Sequence, residues 1–114
     1  MHSEFRFTRR GCQPTYDVTV RLVAEAAARF SIEFEPDLDR VHAPSDLHAV
    51  ALGMKAAYAA VQSQEAIAVT VTQIIDHSGV TGQLGFKICG EAAMYHLLGF
   101  PEQAPFPGHV LGEA

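Results

Sequence analysis

The segment Ile67-Ala68-Val69-Thr70-Val71-Thr72-Gln73-Ile74-Ile75 constrains the chain more than any other. It is dense in β-branched residues and free of Gly and Pro, a composition that suits a pleated, half-buried surface and predicts a strand. Asp76-His77-Ser78-Gly79 follows as a turn. The apolar period then changes: Leu84, Ile88, Ala92 and Tyr95 form one helical stripe, and Leu98 extends it. Thr81 stands where a cap is expected, Gly99 where the helix should end, and Pro101 blocks its continuation. A strand that turns directly into an amphipathic helix requires a sheet with a helix packed on it. Gly82, Gly85 and Gly90 each cost the helix roughly 1 kcal/mol relative to Ala, and they predict close approach of helix to sheet or helix to helix.

Upstream, residues 1–14 alternate only weakly through Phe5 and Phe7 and end in Arg9-Arg10-Gly11-Cys12-Gln13-Pro14, which predicts an arm and then a turn. Tyr16, Val18, Val20 and Leu22 alternate with Thr15, Asp17, Thr19 and Arg21, the pattern of a half-buried strand. The alanine-rich run from Ala24 to Arg29 fits a short helical turn or a bulge between strands. Phe30 to Glu35 alternates again up to Pro36 and predicts a second strand, the hairpin partner of the first. After a loop from Pro36 to Pro44, Ser45 is the expected N-cap and Asp46 the first-turn acid of a helix. Leu47, Val50, Ala51, Met54, Tyr58 and Val61 form its apolar stripe, and the opposite face carries one charge and much alanine. The resulting ββαβα order predicts an α+β fold, a two-layer sandwich of a mostly antiparallel sheet with two helices on one face.

With 114 residues, the chain has the length of one domain, expected over residues 1–114 with its core at about 9–98 and an extended tail over 99–114. Hydrophobic residues make up 48% and charged residues 18%, which excludes a disordered chain. The apolar stretches are too short to span a membrane, and the N-terminus lacks the apolar run of a signal peptide, so a cytoplasmic location is the expectation. Cys12 and Cys89 stand alone in sequence; a single long-range disulfide is open to them, but free buried thiols are the expectation. The net charge of −5 argues against unaided tight binding to nucleic acid, whose phosphates require basic residues. Only Arg6, Arg9 and Arg10 form a local basic cluster.

No phosphate-binding glycine motif of the P-loop or dinucleotide type is present. Gly79-Val80-Thr81-Gly82 precedes a helix and fits a capped turn better than an anion site. Asp39, His42, Asp46 and His48 cluster around one loop without the spacing of a metal site. Asp76-His77-Ser78 has the residue types of a hydrolytic triad, but neighbours in one turn do not reach triad geometry. Cys89 lies within a helix, as a packed small residue. The expectation is a non-enzymatic chain with no cofactor and no metal.

The helix carries Gly85-Phe86-Lys87-Ile88-Cys89-Gly90, the preceding helix carries Ala49-Val50-Ala51-Leu52-Gly53-Met54-Lys55-Ala56-Ala57, and Gly11-Cys12-Gln13 precedes the strand Tyr16 to Val23. In these features the chain, over about residues 9–98, resembles the fourth domain of translation elongation factor G and its archaeal and eukaryotic counterpart. That family has a Val/Ile-rich strand, an Asp-containing turn and a helix with an Ala-Phe-Lys-Ile-Ala-Gly core. The resemblance implies a sheet on two helices with a left-handed crossover, shared with the second domain of a small-subunit ribosomal protein. It also implies contact with ribosomal RNA through loops at the domain tip, with the GTPase on a different domain and no GTP binding by this chain. For such a binding domain the expected RNA or partner contact edge is the basic cluster Arg6, Arg9 and Arg10 with Gln13 and the turn residues Asp76, His77 and Ser78. The family has a His-containing turn and then Asp-Ser-Ser before its helix; here the sequence runs His77-Ser78-Gly79-Val80-Thr81-Gly82-Gln83, a shorter turn in which the Asp-Ser-Ser is lost. The expected function is that of a stand-alone binding domain for ribosome or structured RNA; the alternative is a protein-interaction or self-associating module.

Overall fold

The computed structural model describes residues 1–9, 16–62 and 65–104. The elements run β1 (His2–Arg9), β2 (Tyr16–Ala26), β3 (Ser31–Phe34), a single helical turn α1 (Leu38–Val41), α2 (Pro44–Val61), β4 (Ile67–Asp76), α3 (Gln83–Leu98) and a 3-10 turn at Pro101–Gln103. One four-stranded sheet has the order β1-β2-β4-β3. β2 pairs antiparallel with both β1 and β4, while β3 lies parallel to β4. The fold is therefore α+β, with a mostly antiparallel sheet and two main helices.

Strand alternation assigns the layers. Phe5 opposes Val20, Phe7 opposes Val18, and Val69 opposes both Ala24 and Ile32. All of these but Ile32, which is partly buried and packs against them, belong with Leu22 and Val71 to one buried cluster that also takes in Val50, Met54, Phe86, Cys89 and Met94 from the helices. Both helices thus cover the same face of the sheet. A bulge between Arg21 and Leu22 leaves Thr72 as the extra residue of β4, since Arg21 pairs Gln73 and Leu22 pairs Val71. That extra residue brings both Val71 and Ile74 to the core, which strict alternation forbids.

The helices touch through glycine. A Cβ on Gly53 of α2 would collide with the backbone carbonyl of Lys87, and one on Gly90 of α3 would come 2.5 Å from the carbonyl of Val50. Close approach holds at Gly85 as well, against Tyr16 and Thr81, but not at Gly82, whose surroundings are open. Gly99 ends α3 in the left-handed region at φ +88°, and Phe100 N–H returns to Tyr95 O at 2.9 Å.

Several expectations are corrected. Residues 2–9 form a full strand rather than an arm, because Phe5 and Phe7 face the helices while Glu4, Arg6 and Thr8 face away. β3 is no hairpin partner of β2; its β-ladder is with β4, reached across the α1–α2 connection. β2 itself continues through Ala26 into the alanine-rich run. Ala43, not Ser45, is the N-cap of α2, and Pro44 takes the first helical position, where its missing N–H costs nothing. Gly82, not Thr81, begins α3, because the Thr81 side chain is buried and bonded elsewhere. The expected tail falls largely outside the described residues, and Pro101–Gln103 forms a 3-10 turn.

Candidate functional site

The C-terminal end of β1, the start of β2 and the end of β4 meet at one end of the sheet, since Arg9 pairs Tyr16 and Asp76 pairs Val18. Asp17 is the hub of this end. Arg6 Nε donates to Asp17 Oδ1 at 2.8 Å and Arg6 Nη2 to Oδ2 at 2.9 Å. The Thr8 hydroxyl reaches Oδ1 at 3.4 Å. The Asp17 carboxylate holds the Arg6 guanidinium protonated above its ordinary range. The Asp17 backbone N–H donates to Thr81 Oγ1 at 3.2 Å, and its carbonyl accepts from His77 N–H at 2.8 Å.

The turn after β4 is organised by the Asp76 carboxylate. It accepts from Ser78 Oγ at 3.0 Å, from Gly79 N–H at 3.1 Å and from Thr81 N–H at 3.3 Å. Side-chain bonds of this kind tie a turn into one conformation, and Gly79 supplies the positive φ, +74°, that closes it. His77 is exposed, and its Nε2 lies 2.9 Å from Thr19 Oγ1. The Arg9 guanidinium lies 5.9 Å from the centre of the Tyr16 ring, a cation–π distance, and Tyr16 in turn stacks on Phe7.

Of the expected contact residues, Arg6, Arg9, Asp76, His77 and Ser78 all gather at this end. Arg10 and Gln13 lie outside the described residues, as does Cys12. The gathered residues divide by task. Arg6, Asp76 and Ser78 spend their polar atoms inside the fold, and His77, though exposed, places Nε2 on the buried Thr19 hydroxyl, whereas Arg9 is exposed. Tyr16, Asp17, Thr19 and Thr81 were missed as members of this cluster. Strand alternation places Asp17 on the solvated face, so its burial and its need for a cationic partner had no signal in the sequence.

The hexapeptide Gly85 to Gly90 is a packing device. Gly85 leaves room for the Tyr16 ring, Phe86 is buried with its ring edge toward His42 at 6.2 Å, and Gly90 admits α2. The Cys89 thiol lies 3.4 Å from the carbonyls of both Phe5 and Val18, and burial pushes it up to about 12. That state is inert as a nucleophile at neutral pH. His42 is likewise committed, with Nε2 2.8 Å from Ile74 O. The described residues contain no group of three or more His, Cys, Asp or Glu placed to hold a metal, so Asp39, His42, Asp46 and His48 do not converge.

At the opposite end of the sheet, a cavity of about 250 Å³ is lined by Met1, Val61, Glu65, Ile67, Leu98 and Phe100. Among the described residues, no helix is long and apolar enough to cross a membrane.

No protein-family model and no curated protein matches the chain. Among solved structures, it is similar to the protein ttk003000868 from Thermus thermophilus, with a TM-score of 0.66 and 17% identity. That match covers 82% of this chain and only 14% of the Thermus chain, so the fold corresponds to a small part of a much longer protein. A homoserine kinase from Cytophaga hutchinsonii is more distant, with a TM-score of 0.44 and 16% identity over 87% of this chain and 36% of its own. At these identities the likeness concerns fold alone.

Proposed function

We propose that the chain is a non-catalytic binding domain of the elongation factor G domain IV type, engaging ribosomal or other structured RNA through the Arg9–His77 end of its sheet. The observation that carries this reading is the convergence at one end of exposed Arg9, stacked on Tyr16, and exposed His77, held by Thr19 on a turn rigidified by Asp76. A cationic side chain on an aromatic ring beside an ordered turn suits phosphate contact together with base stacking. The net charge of −5 makes such binding local to this end and weak without a larger partner surface. The likeness to a small part of a longer Thermus protein shows that this fold also occurs within a larger chain.

Ribosome co-sedimentation across a salt series tests it. Arg6 is unsuitable for substitution because it holds Asp17, so the informative variant is Arg9→Gln/Arg10→Gln/His77→Ala. Wild type is expected to co-sediment at low salt, and the variant to bind more weakly with a shallower salt dependence. Absence of wild-type co-sedimentation at low salt refutes the proposal. The second reading, a protein-interaction module, is favoured by the exposed apolar side chains Val41 and Leu52 beside the lightly charged outer face of α2.

A further inference from the structure

β1 forms one edge of the sheet, and its ladder to β2 has a definite phase. Ala24 N–H donates to Met1 O at 2.9 Å, and the Met1 amine donates to Ala24 O at 3.2 Å. In an antiparallel pair such doubly bonded positions recur at every second residue. The backbone groups of Ser3, Phe5, Phe7 and Arg9 therefore face β2, and those of His2, Glu4, Arg6 and Thr8 face away from the sheet. Among the described residues no element pairs with that side.

Proteins usually blunt a long edge with proline, a bulge or charged side chains. β1 contains no proline, its register with β2 is unbroken, and its charges alternate in sign, Glu4 and Arg6 flanking Phe5. An edge of this kind repels many strands but complements itself.

We infer that β1 pairs antiparallel with β1 of a second copy, about a two-fold axis at Phe5. In this register Glu4 lies opposite the partner's Arg6 and His2 opposite the partner's Thr8. The outward-facing backbone groups of all four residues then find partners across the axis. On the face away from the helices, charges alternate along the row: Arg21 is 3.1 Å from Glu4, Glu4 meets the partner's Arg6, and each Arg6 holds its own Asp17. Sliding the strands by one pleat either way sets Glu4 against Glu4 or Arg6 against Arg6, and like charges directly opposite are unfavourable. The charge pattern thus selects both the occupant and the register. The two sheets become one, with the Arg9 ends of the copies pointing in opposite directions.

Sedimentation equilibrium up to about 1 mM, together with residue-resolved amide exchange on the full chain, tests the inference. The expected result is a mass of two chains that falls to one on dilution, with the Glu4 and Arg6 amides protected only in the dimer. The variant Glu4→Arg/Arg21→Glu keeps an ion pair within each chain but sets arginine against the partner's Arg6. It should weaken dimerisation about tenfold or more with an unchanged circular-dichroism spectrum, whereas Arg21→Gln should leave the dimer in place. A monomer at every concentration overturns the inference. So does a dimer whose Glu4 and Arg6 amides exchange freely, which would move the interface to another face. Protection of those amides in a monomer overturns it too, since the edge is then covered by the chain's own residues.

Discussion

Arg6 and Asp17, diagonal neighbours across the β1–β2 ladder, are joined by two parallel hydrogen bonds, 2.8 and 2.9 Å long, with the Asp17 side chain only 8% exposed. A bidentate guanidinium satisfies both oxygens of a carboxylate that burial would otherwise penalise. The pair thereby fixes the end of the sheet on which Arg9 and His77 are displayed.

Removing one partner should therefore harm the fold more than removing both. Arg6→Met leaves the buried Asp17 carboxylate without its bidentate donor, and its melting temperature should fall clearly. Arg6→Met/Asp17→Leu removes the carboxylate together with its donor and should recover part of that loss. Thermal melts of the two single variants and the double variant measure the coupling. Additive losses would show that the pair does not act as a unit.

The glycines of the helix pair give a second, sharper contrast. Gly90→Ala forces a methyl group to 2.5 Å from the Val50 carbonyl, and Gly53→Ala drives one into the Lys87 carbonyl. Neither neighbour is a flexible side-chain end, so each variant should lose about 2 kcal/mol or more despite the better helix propensity of Ala. At Gly82 nothing lies within 4 Å, and Gly82→Ala should cost less than about 1 kcal/mol as a change of N-cap. Denaturant titrations compare all three. Equal effects at Gly82 and Gly90 would contradict the packing.

How much of this was legible in the sequence depended on whether the signal was local. The unit from Ile67 to Leu98 was legible because its apolar period changes from two to 3.6 within one continuous stretch. The stripe Val50, Met54, Tyr58 and Val61 was legible for the same reason. β1 was not, because an edge strand with one solvated face shows only Phe5 and Phe7 as core residues, with charges between them. The partner of β3 was not either. Adjacency in sequence favours a hairpin, whereas β4, from far along the chain, inserts between β2 and β3 in the sheet. At the candidate site, resemblance indicated which segments converge, but not that Arg6 is occupied by Asp17. That contact needs the register of β1 against β2, which no single segment encodes. The slip between Val71 and Ile74 was present in the sequence as a broken alternation, and the bulge at Thr72 is its physical meaning.

Cys89 should behave as a core residue with an alkaline signature. Its folded pKa is raised by burial from 9.0 to about 12. A raised folded value means that the unfolded thiol loses its proton first, so the stability contributed by the protonated form is complete below pH 9 and is lost as pH rises towards 12. In a Cys12→Ser background, thiol labelling at pH 8 should follow global unfolding, and Cys89→Ala should flatten the alkaline decline. Rapid labelling of the native protein would place Cys89 at the surface.

His96 should give the acid counterpart. Its ring centre lies 4.8 Å from that of Phe5, and burial lowers its pKa below the ordinary 6.5. With a depressed folded value, the unfolded imidazole takes up a proton first as pH falls. The stability contributed by the neutral ring is thus complete above pH 6.5 and is lost as pH falls through the folded value. Glu91 acts in the opposite sense, because burial raises its pKa above 4.5 despite nearby Lys87, so its carboxylate form is the unfavourable one near neutrality. Melting temperatures taken from pH 7.5 down to pH 5 should therefore decline less for His96→Gln than for wild type. Glu91→Gln should raise the neutral-pH value. An unchanged acid slope in His96→Gln would show that His96 does not carry the decline.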